Sequence, residues 1–206
     1  GTVRNVNRTD LLSYDLDLKS LNVDTKRISY TSNENVDILA LGQVDYVGKL
    51  SGDPSSLKLN VQLKSALGSA DADIALGFED KIENLSYDGK LAFYEFDLGA
   101  LLRDESLGKL TLDTEISGRG LSFQEGDTKF KGTVRDFDYK GYTYKIIKVD
   151  AQLNEGLIKG VIDVDDPNAQ LEYDGSISLA DDLSKFDFKL QVDTVRLQAL
   201  NLLADD

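Results

Sequence analysis

Apolar and polar residues trade places at every second position along most of this chain. Tyr14, Leu16 and Leu18 alternate with Asp15, Asp17 and Lys19, the two-residue period of a strand with one dry face and one wet face. The pattern returns as Leu57, Leu59, Val61 and Leu63 against Lys58, Asn60, Gln62 and Lys64. It continues through Ala70, Ala72, Ile74, Leu76 and Phe78, then Leu85, Tyr87, Gly89, Leu91 and Phe93. Leu110, Leu112 and Ile116 follow, then Ile147, Val149, Ala151 and Leu153, then Ile158, Ile162 and Val164. Leu171, Tyr173, Ile177 and Leu179 precede a last set, Phe186, Phe188, Leu190 and Val192. These runs predict roughly a dozen strands of about 8 to 11 residues, longer than the usual length. Between them lie polar breakers such as Gly52-Asp53-Pro54, Gly126-Asp127, Asn154-Glu155-Gly156 and Asp165-Asp166-Pro167-Asn168, the residue types that turns require. Only two prolines occur in 206 residues, as expected where long ladders need every N–H.

Two short stretches carry helical spacing. Asp97 is placed to cap Leu98 to Arg103, and Leu197, Leu200 and Leu203 recur at every third position. Neither is long enough to cross over between parallel strands, so the sheet is expected to be antiparallel with hairpin connections. Its apolar face must be hidden. It can pack on a second sheet as a sandwich, close as a barrel, or form an open trough whose lining meets a ligand.

Composition removes several functions. The 23 Lys and Arg stand against 37 Asp and Glu, a formal charge of −14, so phosphate backbones would be repelled and nucleic acid is not an expected partner. There is no His and no Cys, hence no imidazole base, thiolate nucleophile, zinc cage or disulfide framework. No apolar stretch approaches the roughly 20 residues needed to cross a bilayer, and no leader pattern opens the chain, so this segment is expected to be soluble. The absence of Met and the start at Gly1 read as a segment excised from a longer chain.

Internal echoes favour an extended architecture. Gly1-Thr2-Val3-Arg4-Asn5-Val6 recurs as Gly132-Thr133-Val134-Arg135-Asp136-Phe137. Gly175-Ser176-Ile177, Asp181-Asp182-Leu183 and Phe186-Asp187-Phe188-Lys189-Leu190 echo Gly1-Thr2-Val3, Asp10-Leu11-Leu12 and Tyr14-Asp15-Leu16-Asp17-Leu18. The C-terminal unit thus restarts the N-terminal one, as in a module that tiles. The expected organisation is one repeating segment over 1–206, with approximate sub-units 1–95 and 96–206.

A resemblance to a family rests on Phe96-Asp97-Leu98-Gly99-Ala100-Leu101-Leu102, Leu107-Gly108-Lys109-Leu110-Thr111-Leu112-Asp113 and Ile116-Ser117-Gly118-Arg119-Gly120-Leu121. It continues through Gly132-Thr133-Val134, Tyr139 to Ile146, Asp165-Asp166-Pro167-Asn168 and Val195 to Leu202. In this order the words resemble the AsmA-like, TamB (translocation and assembly module) proteins of Gram-negative envelopes, in their Bacteroidetes form. The likeness is best over about 96 to 203. It implies an elongated, curved antiparallel sheet, a β-taco with an apolar groove. It also implies a parent chain anchored in the inner membrane that spans the periplasm and helps lipids or outer-membrane proteins cross. The anchor and the C-terminal signature domain of full-length members are not in this sequence.

The leading functional expectation is therefore a groove for phospholipid or another acyl lipid. Fifteen buried methylenes would contribute about 12 kcal/mol at ~0.8 kcal/mol each, before ordering costs. The expected lining is Leu16 and Leu18; Leu59 and Val61; Ile74 and Leu76; Leu110 and Leu112; Ile147 and Val149; Ile162 and Val164; Leu171 and Tyr173; and Phe186, Phe188 and Leu190. Any of these could equally be ordinary core. The alternative is a scaffold whose free edges pair with strands of outer-membrane clients. An enzymatic reading would start from Asp71 with Asp73, or Asp163 with Asp165, paired at i, i+2 on one strand face as calcium or glycosidase sites require. Solvent-facing polarity explains those pairs better, and no Walker loop, EF-hand or Gly-x-Ser-x-Gly elbow is present. Gly118-Arg119-Gly120 reads as a bulge or turn. Phe137, Tyr139, Tyr142 and Tyr144 read as strand surface rather than a sugar platform. No catalytic residue, metal ligand or cofactor is assigned.

Overall fold

A computed structural model describes residues 1–27, 36–79, 84–120, 126–178 and 185–203. Twelve strands form one antiparallel sheet whose spatial order is the chain order. They are β1 (Thr2–Arg4), β2 (Ser13–Asp24), β3 (Gln43–Asp53), β4 (Ser56–Ser65), β5 (Gly68–Gly77) and β6 (Ser86–Asp97), followed by β7 (Leu107–Arg119), β8 (Asp127–Tyr139), β9 (Tyr142–Asn154), β10 (Leu157–Asp166), β11 (Ala169–Ser178) and β12 (Lys185–Val195). The sheet does not close: β1 and β12 are its edges. It is neither a barrel nor two stacked sheets. Eleven spacings of about 4.8 Å give a span of ~53 Å across the strands. The chain exposes 13746 Å², against about 9,500 Å² for a compact protein of its mass. The line between the two expected sub-units falls inside β6.

Register explains why one face is apolar throughout. Leu16, Leu50, Leu59, Ile74, Gly89, Ile116, Phe130, Ala151, Gly160, Gly175 and Phe188 face one another in unbroken succession from β2 to β12. One residue along, the opposite face carries Asp17, Lys49, Asn60, Asp73, Lys90, Glu115, Lys131 and Asp150 from β2 to β9. Charges of alternating sign meet there, with Lys90 to Glu115 at 3.0 Å and Lys131 to Asp150 at 3.3 Å. Exposed pairs of this kind add little stability, but a one-residue slip would bring leucines to water and charges to the dry face. Glycines interrupt the apolar rows where backbones crowd. A Cβ on Gly89 would lie 2.1 Å from the Asp73 carbonyl oxygen, so the neighbouring strand occupies space a side chain would need, the mark of a sharply bent sheet.

The two ends of the sheet differ. At one end Glu155 and Gly156 form a two-residue hairpin turn and both take positive φ, as a type I′ turn demands. The other end carries a 3-10 turn at Ile38–Leu41, helix α1 (Leu98–Leu102) and the turn formed by residues 197–201. Asp97 caps α1 as its position predicts, accepting a hydrogen bond from the Ala100 N–H at 2.9 Å. Arg103 closes the helix in the left-handed conformation. The Asp37 N–H donates to the Leu101 carbonyl at 2.6 Å and Arg103 pairs with Asp37 at 3.2 Å, tying the 3-10 turn to α1. Val44, Leu67, Phe96, Ala169 and Leu200 are buried at or near this end.

The segment with Leu197, Leu200 and Leu203 is a single turn rather than a helix. The Leu202 N–H reaches back to the Leu197 carbonyl at 3.0 Å and Asn201 has positive φ, so the chain reverses after one turn. Leu121 of the resemblance, Leu179 of the alternating sets and Asp181-Asp182-Leu183 of the repeat lie outside the described residues.

Candidate functional site

All of the expected lining residues project from the same face of the sheet, because cross-strand register joins them into parallel rows. One row runs Leu18, Gly48, Val61, Ala72, Leu91, Thr114, Gly132, Val149, Ile162, Tyr173 and Leu190. The next runs Leu63, Ala70, Phe93, Leu112, Val134, Ile147, Val164, Leu171 and Val192. Leu16, Leu59, Ile74 and Phe188 lie in the first row described above. Leu76 and Phe186 lie in a further row beyond it. Leu110 joins through bulges, opposite Phe96 and Phe137.

Valines compare the two faces directly. On the charged face Val47 is 47% exposed and Val161 38%, whereas on the apolar face Val61 is 8% exposed. Mid-sheet, the apolar face is therefore the better covered of the two. Leu112 and Thr114 are also buried there. Cover fails towards β12, where Phe186 is 62% exposed and Phe188 and Leu190 are each 51% exposed. The expected lining thus grades from Val61 and Leu112, which are buried, through half-buried residues on most strands, to an open margin represented by the three β12 residues.

Two hollows lie over the other face. The larger, of about 740 Å³, meets three consecutive residues on most strands from β4 to β9, such as Asn60, Val61 and Gln62 or Asp113, Thr114 and Glu115. In each triplet the outer residues point to the charged side and the middle one lends backbone. The second, about 580 Å³, is built in the same way around Gly89, Ile116, Phe130 and Ala151. Neither hollow lies over the apolar face that the groove implied by the resemblance would use.

The acidic pairs are spread along strands rather than gathered. Asp71 accepts from the Tyr94 hydroxyl at 3.2 Å, and Asp163 lies 3.8 Å from Lys148. Among the described residues no group of three acidic side chains is placed to hold a metal ion. Arg119, between its two glycines, ends β7 and pairs with Glu79 at 3.1 Å.

Asp166 behaves differently from the other turn carboxylates. It is 1% exposed and accepts from the Tyr142 hydroxyl at 2.6 Å, the Lys145 N–H at 2.9 Å and the Asn168 N–H at 2.8 Å. Burial by itself would push its pKa up, but these hydrogen bonds, with one from the Ala169 backbone, outweigh it and hold the carboxyl below its ordinary range. The Tyr142 hydroxyl is correspondingly harder to ionise, chiefly because it donates to Asp166. The sequence placed Asp166 in a polar turn, whereas the structure makes it the buried last residue of β10. Phase would have found it, since Ile162, Val164 and Asp166 fall on one side of β10. The aromatic group stands beside it: Tyr142 and Tyr144 meet edge to face at 4.9 Å and Phe137 stacks with Tyr139 at 6.2 Å.

No family model matches this chain, and neither does any curated protein or solved structure. Among the described residues no helix is long and apolar enough to cross a membrane.

Proposed function

We propose that this chain is a non-enzymatic segment of a periplasm-spanning β-sheet that shields lipid acyl chains in transit between the inner and outer membranes. The observation that carries the reading is the apolar row running without a charged interruption across eleven strands, while the opposite face is mainly charged and polar. Such a surface binds by nonpolar contact along its length and has no chemistry selective for a headgroup. The resemblance to AsmA-like, TamB proteins supports the same reading and supplies the envelope location and the anchored parent. The β12 margin, where Phe186, Phe188 and Leu190 stand most exposed of the expected lining, is where acyl contact begins.

Native mass spectrometry of the purified chain, together with uptake of a fluorescent fatty acid, tests it. Co-purified lipid and saturable uptake are expected, and uptake should fall at least tenfold when Phe188 and Leu190 are both changed to Asp. A chain that carries no lipid and takes up no fatty acid defeats the proposal.

A second reading is favoured by the open edge of β12: pairing with strands of outer-membrane proteins during their assembly. Photo-cross-linkers along β12 should then trap client polypeptide, and their silence removes this reading.

A further inference from the structure

The sequence echo between the two ends of the chain is also an echo of register. In the first hairpin Thr2 faces Asp15, Val3 faces Tyr14 and Arg4 faces Ser13. In the last, Ser176 faces Asp187, Ile177 faces Phe186 and Ser178 faces Lys185. Each pair corresponds residue for residue. The glycine that opens each unit is equivalent as well. A Cβ on Gly1 would meet the Asp15 oxygen and the Leu16 Cα, and one on Gly175 would meet the Asp187 oxygen and the Phe188 Cα. The hairpins are two copies of one unit, set ten strands apart in the same sheet.

β1 is an edge of the sheet whereas β11 is flanked by β10, and the second strands differ in the opposite sense. β2 is covered along its far side by β3, where Tyr14 faces Gly52, Leu16 faces Leu50 and Leu18 faces Gly48, and those three β2 side chains are half-buried. The equivalent Phe186, Phe188 and Leu190 are at least half exposed, since the sheet ends at β12.

We propose that the edge of β12 is shaped to receive an antiparallel strand of β3 type, contributed by a further repeat of this kind, so that the sheet extends by the step already present within it. The unit fixes the pattern of that strand. It places glycine opposite Phe186 and Leu190, leucine opposite Phe188, and a residue of opposite charge at the position between. In β2 that position is Asp17, facing Lys49. In β12 it is Lys189, which follows Asp174 in its cross-strand row, so the incoming strand carries an acid where β3 carries Lys49. This inference concerns strand addition alone and stands whether or not the apolar face holds lipid.

The test appends a copy of residues 43–65 to the whole chain through a flexible Gly/Ser linker after residue 206, with the copy carrying either Lys49 or Lys49→Glu. Amide exchange of β12 should slow by at least tenfold on fusion, and more for the Lys49→Glu copy, by roughly two- to fivefold for one cross-strand charge pair. In a Lys189→Glu chain the order of the two copies should reverse. Because the chain lacks cysteine, thiols placed at Phe188→Cys and at Leu50→Cys of the copy report register without background. They should cross-link, whereas Asp187→Cys with the same copy should not. Unchanged β12 exchange, no reversal of charge preference, or cross-linking at both positions alike overturns the proposal. The last outcome would indicate an edge that takes strands without register, as client pairing requires.

Discussion

At the scale of single residues, Asp166 and Gly89 are the positions where a small change should cost most. Removing the Asp166 carboxylate orphans the Tyr142 hydroxyl and the Lys145 and Asn168 N–H groups. Asp166→Ala should therefore destabilise the chain by about 2 to 3 kcal/mol in urea unfolding, and Asp166→Asn by less. The pH dependence has a definite sign. The carboxyl is held below its unfolded pKa, so its contribution is complete above about pH 4 and is lost as pH falls further, through the folded value. Acid titration of wild type and Asp166→Asn should converge in that range. Divergence on acidification would show that the carboxylate is not stabilising. Gly89→Ala tests the crowded backbone. With a Cβ only 2.1 Å from the Asp73 oxygen, a loss of roughly 2 to 4 kcal/mol is expected, and a neutral outcome would mean that the strands are not so close.

Elements were legible where a local rule acts alone. Nine of the strands follow from the alternating sets, which do not include β1, β3 or β8, and α1 follows from Asp97 preceding three well-spaced leucines. Asp97→Ala should cost about 1 kcal/mol through the lost cap, read as earlier thermal unfolding. What escaped has a common physical cause: the backbone departs from a regular period under tertiary constraint. The β6–β7 register shifts between Phe93 and Phe96, with Glu95 at positive φ, a conformation that its side chain does not announce. Ile38 to Leu41 reads as an apolar run, yet it coils into a 3-10 turn because Asp37 caps it and α1 lies against it. Leu197, Leu200 and Leu203 share helical spacing, but the reversal at Asn201 stops the segment after a turn. The candidate surface was legible as a set of residues and not as a shape. Phase assigned Val61 and Phe188 to one face correctly, while only the distance of each from the sheet's edge decides that the first is buried and the second exposed.

For the molecule as a whole, the open sheet has a consequence in solution. A compact globule of this length has a radius of gyration near ~17 Å, and small-angle scattering should return a clearly larger value. A result at or below that figure would mean that the sheet collapses on itself and leaves little apolar margin to use. Among the described residues each strand of the sheet pairs only with its neighbours in sequence, with no crossover in the order. A polypeptide arriving end first can therefore zip up in the order in which it arrives, and no segment has to wait for a distant mate before it is satisfied. Gaining or losing a hairpin would change how far such a zipper runs without disturbing any tooth already closed.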